Sequence, residues 1–330
     1  EEPYVAVVYS DYLHLVCSSC FHEDAPLLIR KCKEAPLEAC KGCHEVYYCG
    51  SACQQNDWKI HEAECKFLST AVAVPSDIVR MIARLLIRRK RGDHDTFRAY
   101  NGRKFDDLMD HRSDFENMGA NFDKVFNDTK NYVSIDYMVD REEIVRYVGK
   151  LLVNQFAIRG PVDTCIGNGL YIGICIFDHS CQPDLTRRSI GSKMILRSQN
   201  REQTLNKNLT VSYISPLACT EERRKLLRSN PFFFHCKCRK CEDTEQDGYA
   251  RSIKCESCEG GICLVKDDSA PLRCMKCGIT SSITHEEANK WNADVAIVEY
   301  FGSEDCALFI RKSMHIFSPP NMRDLAKKQS

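Results

Sequence analysis

Twenty-one of the 330 residues are cysteine, and most sit in short-spaced pairs. Between residues 17 and 65 the pairs form a ladder: Cys17-x2-Cys20, Cys40-x2-Cys43, Cys49-x3-Cys53 and His61-x3-Cys65. Thiolate and imidazole together suit tetrahedral Zn²⁺. A two-residue gap turns both sulfurs toward one ion. A three-residue gap places two ligands on one helix face, because i and i+4 are neighbours there. Eight ligands make two sites. Interleaving them, first pair with third and second with fourth, braces a segment too short to hold a core of its own. Zinc binding of about 10–16 kcal/mol then supplies most of the folding free energy.

Two further groups follow. Cys236-x-Cys238-x2-Cys241 offers three thiolates and needs a fourth ligand. Cys181, in Asp178-His179-Ser180-Cys181-Gln-Pro-Asp184, is one candidate, and a more local residue is the alternative. Cys255-x2-Cys258 and Cys274-x2-Cys277, with glycines at 260, 261 and 278, read as a zinc ribbon. That leaves Cys32, Cys165, Cys175, Cys219, Cys263 and Cys306 as reduced thiols. An odd cysteine total in spaced pairs favours metal ligation over disulfides, and hence a reducing compartment, cytosol or nucleus.

These groups need elements to hold them. Residues 4–16 are β-branched and aromatic and read as strand. Ser76 is a plausible cap for a helix with the apolar stripe Ile78, Ile82, Leu85 and Leu86. Its other face carries Arg80, Arg84 and the run 88–91, which reads as a solvated cationic face or a phosphate-binding one. Residues 92–130 read as short helices and 141–158 as one longer helix. From Cys165 to Ile214 the pattern is β-like. A polar linker follows Cys241, and helical stretches fall near 285–300 and 304–314.

Lys+Arg and Asp+Glu both total 46, so no whole-protein field favours nucleic acid as the primary partner. No apolar run approaches the ~20 residues that span a bilayer. The chain opens Glu-Glu-Pro without a Met and reads as a fragment or a trimmed segment.

The stretch Cys40-Lys-Gly-Cys, Tyr48-Cys49-Gly-Ser-Ala-Cys53, Trp58 and His61-Glu-Ala-Glu-Cys65 resembles the MYND finger, with Cys32 in a longer loop than usual. Downstream, Asp178-His-Ser-Cys-Gln-Pro-Asp184 resembles the Asn-His-Ser-Cys-x-Pro-Asn segment of the SET and MYND domain-containing lysine methyltransferases. Leu209-Thr-Val-Ser-Tyr213 is similar to that family's catalytic-tyrosine segment, and Phe234-His-Cys-Lys-Cys-Arg-Lys-Cys241 to its post-SET zinc tail, with Glu221-Glu-Arg-Arg-Lys between them. The resemblance runs from residue 1 to about 245 and more faintly at 315–321.

The resemblance implies a multidomain α+β chain. A β-rich SET fold is split by a MYND finger and a helical insert, then followed by a post-SET zinc tail, a zinc ribbon and the start of a helical C-terminal region. The expected divisions are 1–16 first SET strand, 17–65 finger, 66–130 helical linker and insert, 131–230 SET core, 231–245 post-SET tail, 246–284 ribbon and 285–330 helical region. It implies transfer of a methyl group from S-adenosylmethionine to a protein lysine, histone or other. Tyr213 would be the catalytic hydroxyl. Asp178, His179, Asn154, Cys175, Phe232, Phe234 and His111 would contact the donor, with Phe156 also lining the pockets. Four zincs are expected: two in the finger, one post-SET completed by Cys181, and one in the ribbon. The finger would recruit proline-rich peptides. A monomer in nucleus and cytoplasm, acting in chromatin regulation, completes the expectation.

Plainer readings stand beside these roles. An isolated strand tyrosine is ordinarily a half-buried sheet residue. Phe232–Phe234 could be core, and His111 a surface histidine. The chain also departs from the family. Asp178 and Asp184 replace asparagines, and Asn206-Lys-Asn replaces Gly-Glu-Glu. The Gly-x-Gly donor loop, which lies ahead of the segment matching Glu1–Tyr4, is not in this sequence. An inactive SET/MYND scaffold is therefore the alternative reading.

Overall fold

The computed structural model describes residues 1–23, 37–117, 122–161, 164–199, 208–216, 218–229, 231–265 and 271–290. Cys32, Cys306, Asn206-Lys207, the stretch 315–321 and the expected helices beyond residue 290 lie outside them. The described chain is mixed α and β and divides into two compact units, Glu1–Asp178 with Leu185–Asn208, and His179–Asp184 with Leu209–Ser330.

The first unit begins with β1 (Val5–Val8), apolar and buried throughout. The expected strand over 4–16 ends there, and Ser10–Tyr12 forms a 3-10 turn. Asp77 accepts from the Ser10 amide and hydroxyl at 3.2 and 3.1 Å, which ties the turn to the helix that follows the finger. The finger contributes β2 (Glu38–Ala39) and β3 (Tyr47–Tyr48), an antiparallel pair, and the long α1 (Ser51–Thr70). Next come α2 (Asp77–Lys90), α3 (Asp93–Thr96), α4 (Arg112–Asn117) and α5 (Phe122–Tyr132). Then α6 (Arg141–Asn154) runs straight into β4 (Gln155–Arg159), and β5 (Cys165–Leu170) returns.

The longer helix expected over 141–158 thus stops at Asn154. Asp140 caps its start, accepting from the Glu143 amide at 2.8 Å. The Asn154 side chain closes its end by donating to the Lys150 carbonyl at 2.8 Å. Beyond it the burial alternates, and Gln155–Arg159 pairs with β5, on whose other edge β1 lies. The unit continues through β6 (Asp178–His179), where the division falls, and resumes in the hairpin β7 (Leu185–Ile190) and β8 (Lys193–Ser198). The hairpin turn meets the finger. Ser192 donates to the Cys20 carbonyl at 2.9 Å. Gly191 has φ 57°, and a Cβ there would lie 2.4 Å from the same oxygen.

Helix α2 overturns the solvated-face reading at Arg80 and Arg84, whereas Arg89, Lys90 and Arg91 of the run are exposed as that reading expects. Arg80 is fully buried and Arg84 nearly so, alongside the apolar stripe. Their counter-charges come from α1, described below.

The second unit holds β9 (Thr210–Val211), α7 (Thr220–Arg228), α8 (Arg239–Glu242) and α9 (Thr244–Ala250). Then come the short strands β10 (Ile253–Lys254) and β11 (Ile262–Cys263), which pair, and a helical turn at 285–290. One small core gathers Cys181, Ile214, Leu227, Cys236 and Cys241. Another gathers Ile253, Cys255, Cys263, Val265, Leu272, Cys274 and Ala288. Both rest on ligand cysteines, as expected where the metal replaces a larger apolar core. No helix among the described residues is long and apolar enough to cross a membrane.

Candidate zinc centres and candidate active site

Sixteen ligand residues fall into four groups of four, each with its donor atoms within 4.8 Å of one another. The groups are Cys17, Cys20, Cys49, Cys53; Cys40, Cys43, His61, Cys65; Cys181, Cys236, Cys238, Cys241; and Cys255, Cys258, Cys274, Cys277. The first two interleave. The third takes Cys181, so the fourth ligand comes from the DHSC segment rather than from a residue near the tail. A tetrahedron with Zn–S bonds of ~2.3 Å has edges of ~3.8 Å. The Sγ–Sγ separations match: Cys20–Cys49 3.6 Å, Cys40–Cys65 3.8 Å, Cys181–Cys236 3.9 Å and Cys255–Cys277 3.7 Å. These are far beyond a disulfide bond. The ligand chemistry and the spacing both fit zinc.

Local structure explains the placement. His61 and Cys65 lie one turn apart on α1, as the three-residue gap requires; Cys49 instead precedes the helix, and only Cys53 is on it. Burial, and then the neighbouring thiolates, pushes the Cys65 thiol up to about 12. Four such groups hold their thiolate form together only around a cation. In the fourth group the amides of Lys276 and Cys277 approach the Cys274 sulfur at 3.3 and 3.5 Å, and the Cys277 amide holds that thiol down at about 6. Glycine makes room for the ligands. A Cβ at Gly261 would lie 2.5 Å from Cys258 Sγ and 2.6 Å from Cys274 Sγ, and one at Gly42 2.7 Å from Cys65 Sγ.

The second finger site has a buried polar shell. His61 Nε2 faces Cys43 Sγ at 3.7 Å, and its Nδ1 faces Glu64 Oε2 at 3.5 Å. Glu64 is fully buried and accepts from Arg80 Nε at 3.2 Å and Arg84 Nε at 2.8 Å. Arg84 also grips Asp57 through both oxygens, at 2.9 and 3.1 Å, and Tyr48 donates to Asp57 at 2.9 Å. Arg80 reaches on to the Val8 carbonyl at 3.1 Å. Burial alone would raise the Glu64 carboxyl, but the two guanidinium groups outweigh it and hold it well below the usual carboxylate range. A ligating histidine fixed by a carboxylate is the usual way a metal site sets imidazole orientation.

The second unit brings four predicted residues together. The Tyr213 ring stacks on Phe232 at 5.4 Å between centroids and meets Phe234 edge-on at 6.4 Å. His179 lies 5.2 Å from the Tyr213 ring and 5.7 Å from that of Phe234. The Tyr213 amide donates to His179 Nδ1 at 3.0 Å, so that nitrogen is the acceptor and Nε2 carries the proton. Nε2 in turn points at Cys181 Sγ, 3.2 Å away. Both imidazole nitrogens are thus engaged within this unit. Phe233, between the two ring residues, has a left-handed backbone at φ 57°. A bulky residue held there stores about 1–2 kcal/mol of strain. Asp184 Oδ2 accepts from the Thr210 amide at 3.0 Å and hydroxyl at 2.8 Å.

The other candidates lie in the first unit. Asn154 Nδ2 donates to the Met109 carbonyl at 2.7 Å as well as to Lys150. Cys175 Sγ donates to the Tyr171 and Asn154 carbonyls at 3.1 and 3.4 Å, and burial pushes its thiol up to about 12. Phe156 is buried on β4 beneath the Arg187 guanidinium. Asp178 is exposed. His111 has φ 44° at the start of α4 and pairs with Asp114 at 3.2 Å. The sequence pointed to none of Glu64, Asp57, Arg80 or Arg84 as a partner of the finger. The available signal was Glu64 itself, three residues after a ligand on the same helix.

Residues 17–65 match the MYND finger family. Over 294 residues the chain is 28% identical to "SET domain-containing protein 14" of Caenorhabditis elegans, covering 87% of this chain and 64% of that protein. It is 26% identical over 313 residues to "Histone-lysine N-methyltransferase ASHR1" of Arabidopsis thaliana, with 90% and 62% covered. It is 26% identical over 229 residues to human "Histone-lysine N-methyltransferase SMYD3", with 64% and 50% covered. The chain therefore spans about half to two thirds of the length of the curated relatives it matches. Its finger thus matches the MYND family directly, and over most of its length the chain is similar to SET domain-containing and SMYD-type histone-lysine methyltransferases at 26–28% identity.

Proposed function

We propose that this protein is an S-adenosylmethionine-dependent protein-lysine N-methyltransferase whose MYND finger recruits the partner. The observation that carries the reading is the convergence of Tyr213, His179, Phe232 and Phe234 beside a four-thiol cluster. S-adenosylmethionine, when bound, supplies an electrophilic methyl group on a sulfonium sulfur. Aromatic faces attract such a cation, so the ring cluster has the right chemistry for it. A substrate lysine must lose a proton from an amine whose free pKa is ~10.4. Apolar ring walls disfavour its ammonium form. The Tyr213 ring is held by Phe232 and its backbone by His179, so its hydroxyl can be presented in one orientation. Most of the remaining rate enhancement is positioning.

For donor contact the reading assigns Asn154, Cys175, Asp178, His111, His179, Phe232 and Phe234. With both nitrogens of His179 engaged, its contribution falls to its backbone. The SET core at 131–230, the post-SET tail at 231–245 and the ribbon at 246–284 are parts of the same proposal. Trp58, 40% exposed on α1, suits a proline-rich peptide, which docks on aromatic surfaces. Histone or other protein lysines, action in nucleus and cytoplasm as a monomer, and a role in chromatin regulation complete it.

One observation favours a second reading, an inactive scaffold. Asp178 offers only acceptors where the family's asparagine both donates and accepts. Calorimetry with S-adenosylmethionine on the full-length protein separates the two. An enzyme gives saturable heat that alanine at Asn154 or Phe234 weakens; a scaffold gives none.

A further inference from the structure

The Glu221-Glu-Arg-Arg-Lys run has no role in the proposed reaction, yet two of its side chains face the third thiol cluster. Arg223 is 1% exposed. It donates to the Ala218 carbonyl, to Thr220 Oγ1 at 2.8 Å and to Cys241 Sγ at 3.6 Å. No carboxylate among the described residues pairs with it, and its Nε has no hydrogen-bond partner among them. A buried guanidinium without a counter-charge is costly. Among the described residues the anionic character that acts most strongly on it comes from the sulfurs of Cys241 and Cys181. Four thiolates around Zn²⁺ carry a net charge of −2, which meets that need.

The neighbour completes the clamp. Arg224 donates to the Cys236 carbonyl at 3.2 Å through Nε and to the Cys241 carbonyl at 3.0 Å through Nη2. Further along α7 the Leu227 carbonyl accepts from the Phe234 amide at 2.8 Å. One helix therefore holds a ligand sulfur, two ligand carbonyls and a ring that packs on Tyr213.

We propose that Arg223 is the counter-ion and a positioning residue of the Cys181–Cys236–Cys238–Cys241 zinc centre, and that Arg224 fixes its ligand loop. The inference rests on the zinc reading of the cluster and is independent of methyl transfer. The test is zinc release from the full chain to a chromophoric chelator, after the total has been counted by mass spectrometry. Wild type should hold four equivalents. Arg223→Gln, which keeps a donor but loses the charge, should release one equivalent about 10–100-fold faster, the usual cost of losing an outer-shell partner. Arg223→Lys restores the charge and should stay within about threefold of wild type. Arg228→Gln, an exposed change on the same helix, should release normally. Unchanged release from a folded Gln variant, or equal acceleration by Lys and Gln, overturns the counter-ion role. Should the Gln variant fail to fold, the Lys variant decides alone: near-wild-type release supports the role and tenfold acceleration refutes it. A wild-type total of three, with no equivalent lost in Cys238→Ser, overturns the zinc reading beneath it.

Discussion

Replacing Glu64 by glutamine should destabilise the finger and α2 together. Glu64 uses both carboxylate oxygens, accepting from Arg80 at 3.2 Å and from Arg84 at 2.8 Å, with all three side chains in the interior. After the substitution Arg84 keeps its two-oxygen grip on Asp57, but Arg80 keeps no counter-charge: glutamine offers one neutral acceptor oxygen and turns an NH2 donor toward the guanidinium groups, and Arg80 Nη2 already has no partner. Removing one member of a buried charge network costs about 3–5 kcal/mol. At about 1.4 kcal/mol per decade, the opening equilibrium should shift by roughly two to three and a half orders of magnitude. Trp58, 5.9 Å from the His61 ring, reports locally once Trp291→Phe removes the second tryptophan. Urea unfolding followed by its fluorescence should show the loss, and Glu64→Gln with Arg80→Met should cost less than the two single changes summed. A single-variant loss below about 1 kcal/mol, or strict additivity, would refute the claim that α2 supplies the zinc helix with its counter-charges.

Other outcomes are equally specific. Gly261→Ala puts a methyl group within 2.6 Å of two ligand sulfurs, so bound zinc should fall from four equivalents to three while the MYND sites stay filled; four tightly held equivalents would contradict the ribbon. Asp184→Ala should cost about 1–3 kcal/mol by leaving the Thr210 donors unpaired. Asp184→Asn, which still presents an acceptor oxygen, should cost under about 1 kcal/mol, and denaturation midpoints would show whether the departure from the family is structurally neutral. Cys175, donating to two carbonyls with its thiolate disfavoured, should resist alkylation at pH 8 in the folded chain and react on unfolding; mass mapping of labelled peptides decides this.

The metal ligands were legible because zinc constrains residue type and spacing together. Cys17 to Cys65 could be paired from the gaps alone, and the choice of Cys181 needed only the DHSC resemblance. The buried arginines were not legible. A charge on an amphipathic helix reads as solvated unless its partner is known, and Glu64 lies 16 residues from Arg80 and 20 from Arg84 on another helix. The boundary at Asn154 was equally hidden, since Gln155–Arg159 continues an apolar pattern that a helix or a strand could use. Only pairing with β5 selects the strand. The left-handed turn at Phe233 had no signal either, because nothing in Pro-Phe-Phe-Phe-His marks a residue that tolerates positive φ.

The central claim is methyl transfer at Tyr213. Full-length protein incubated with labelled S-adenosylmethionine and a panel of histone and peptide substrates should place label on lysine. Tyr213→Phe should abolish most of that incorporation while retaining donor binding by calorimetry and all four zincs. Equal incorporation by wild type and Tyr213→Phe, or no donor heat from the wild-type protein, would contradict the account.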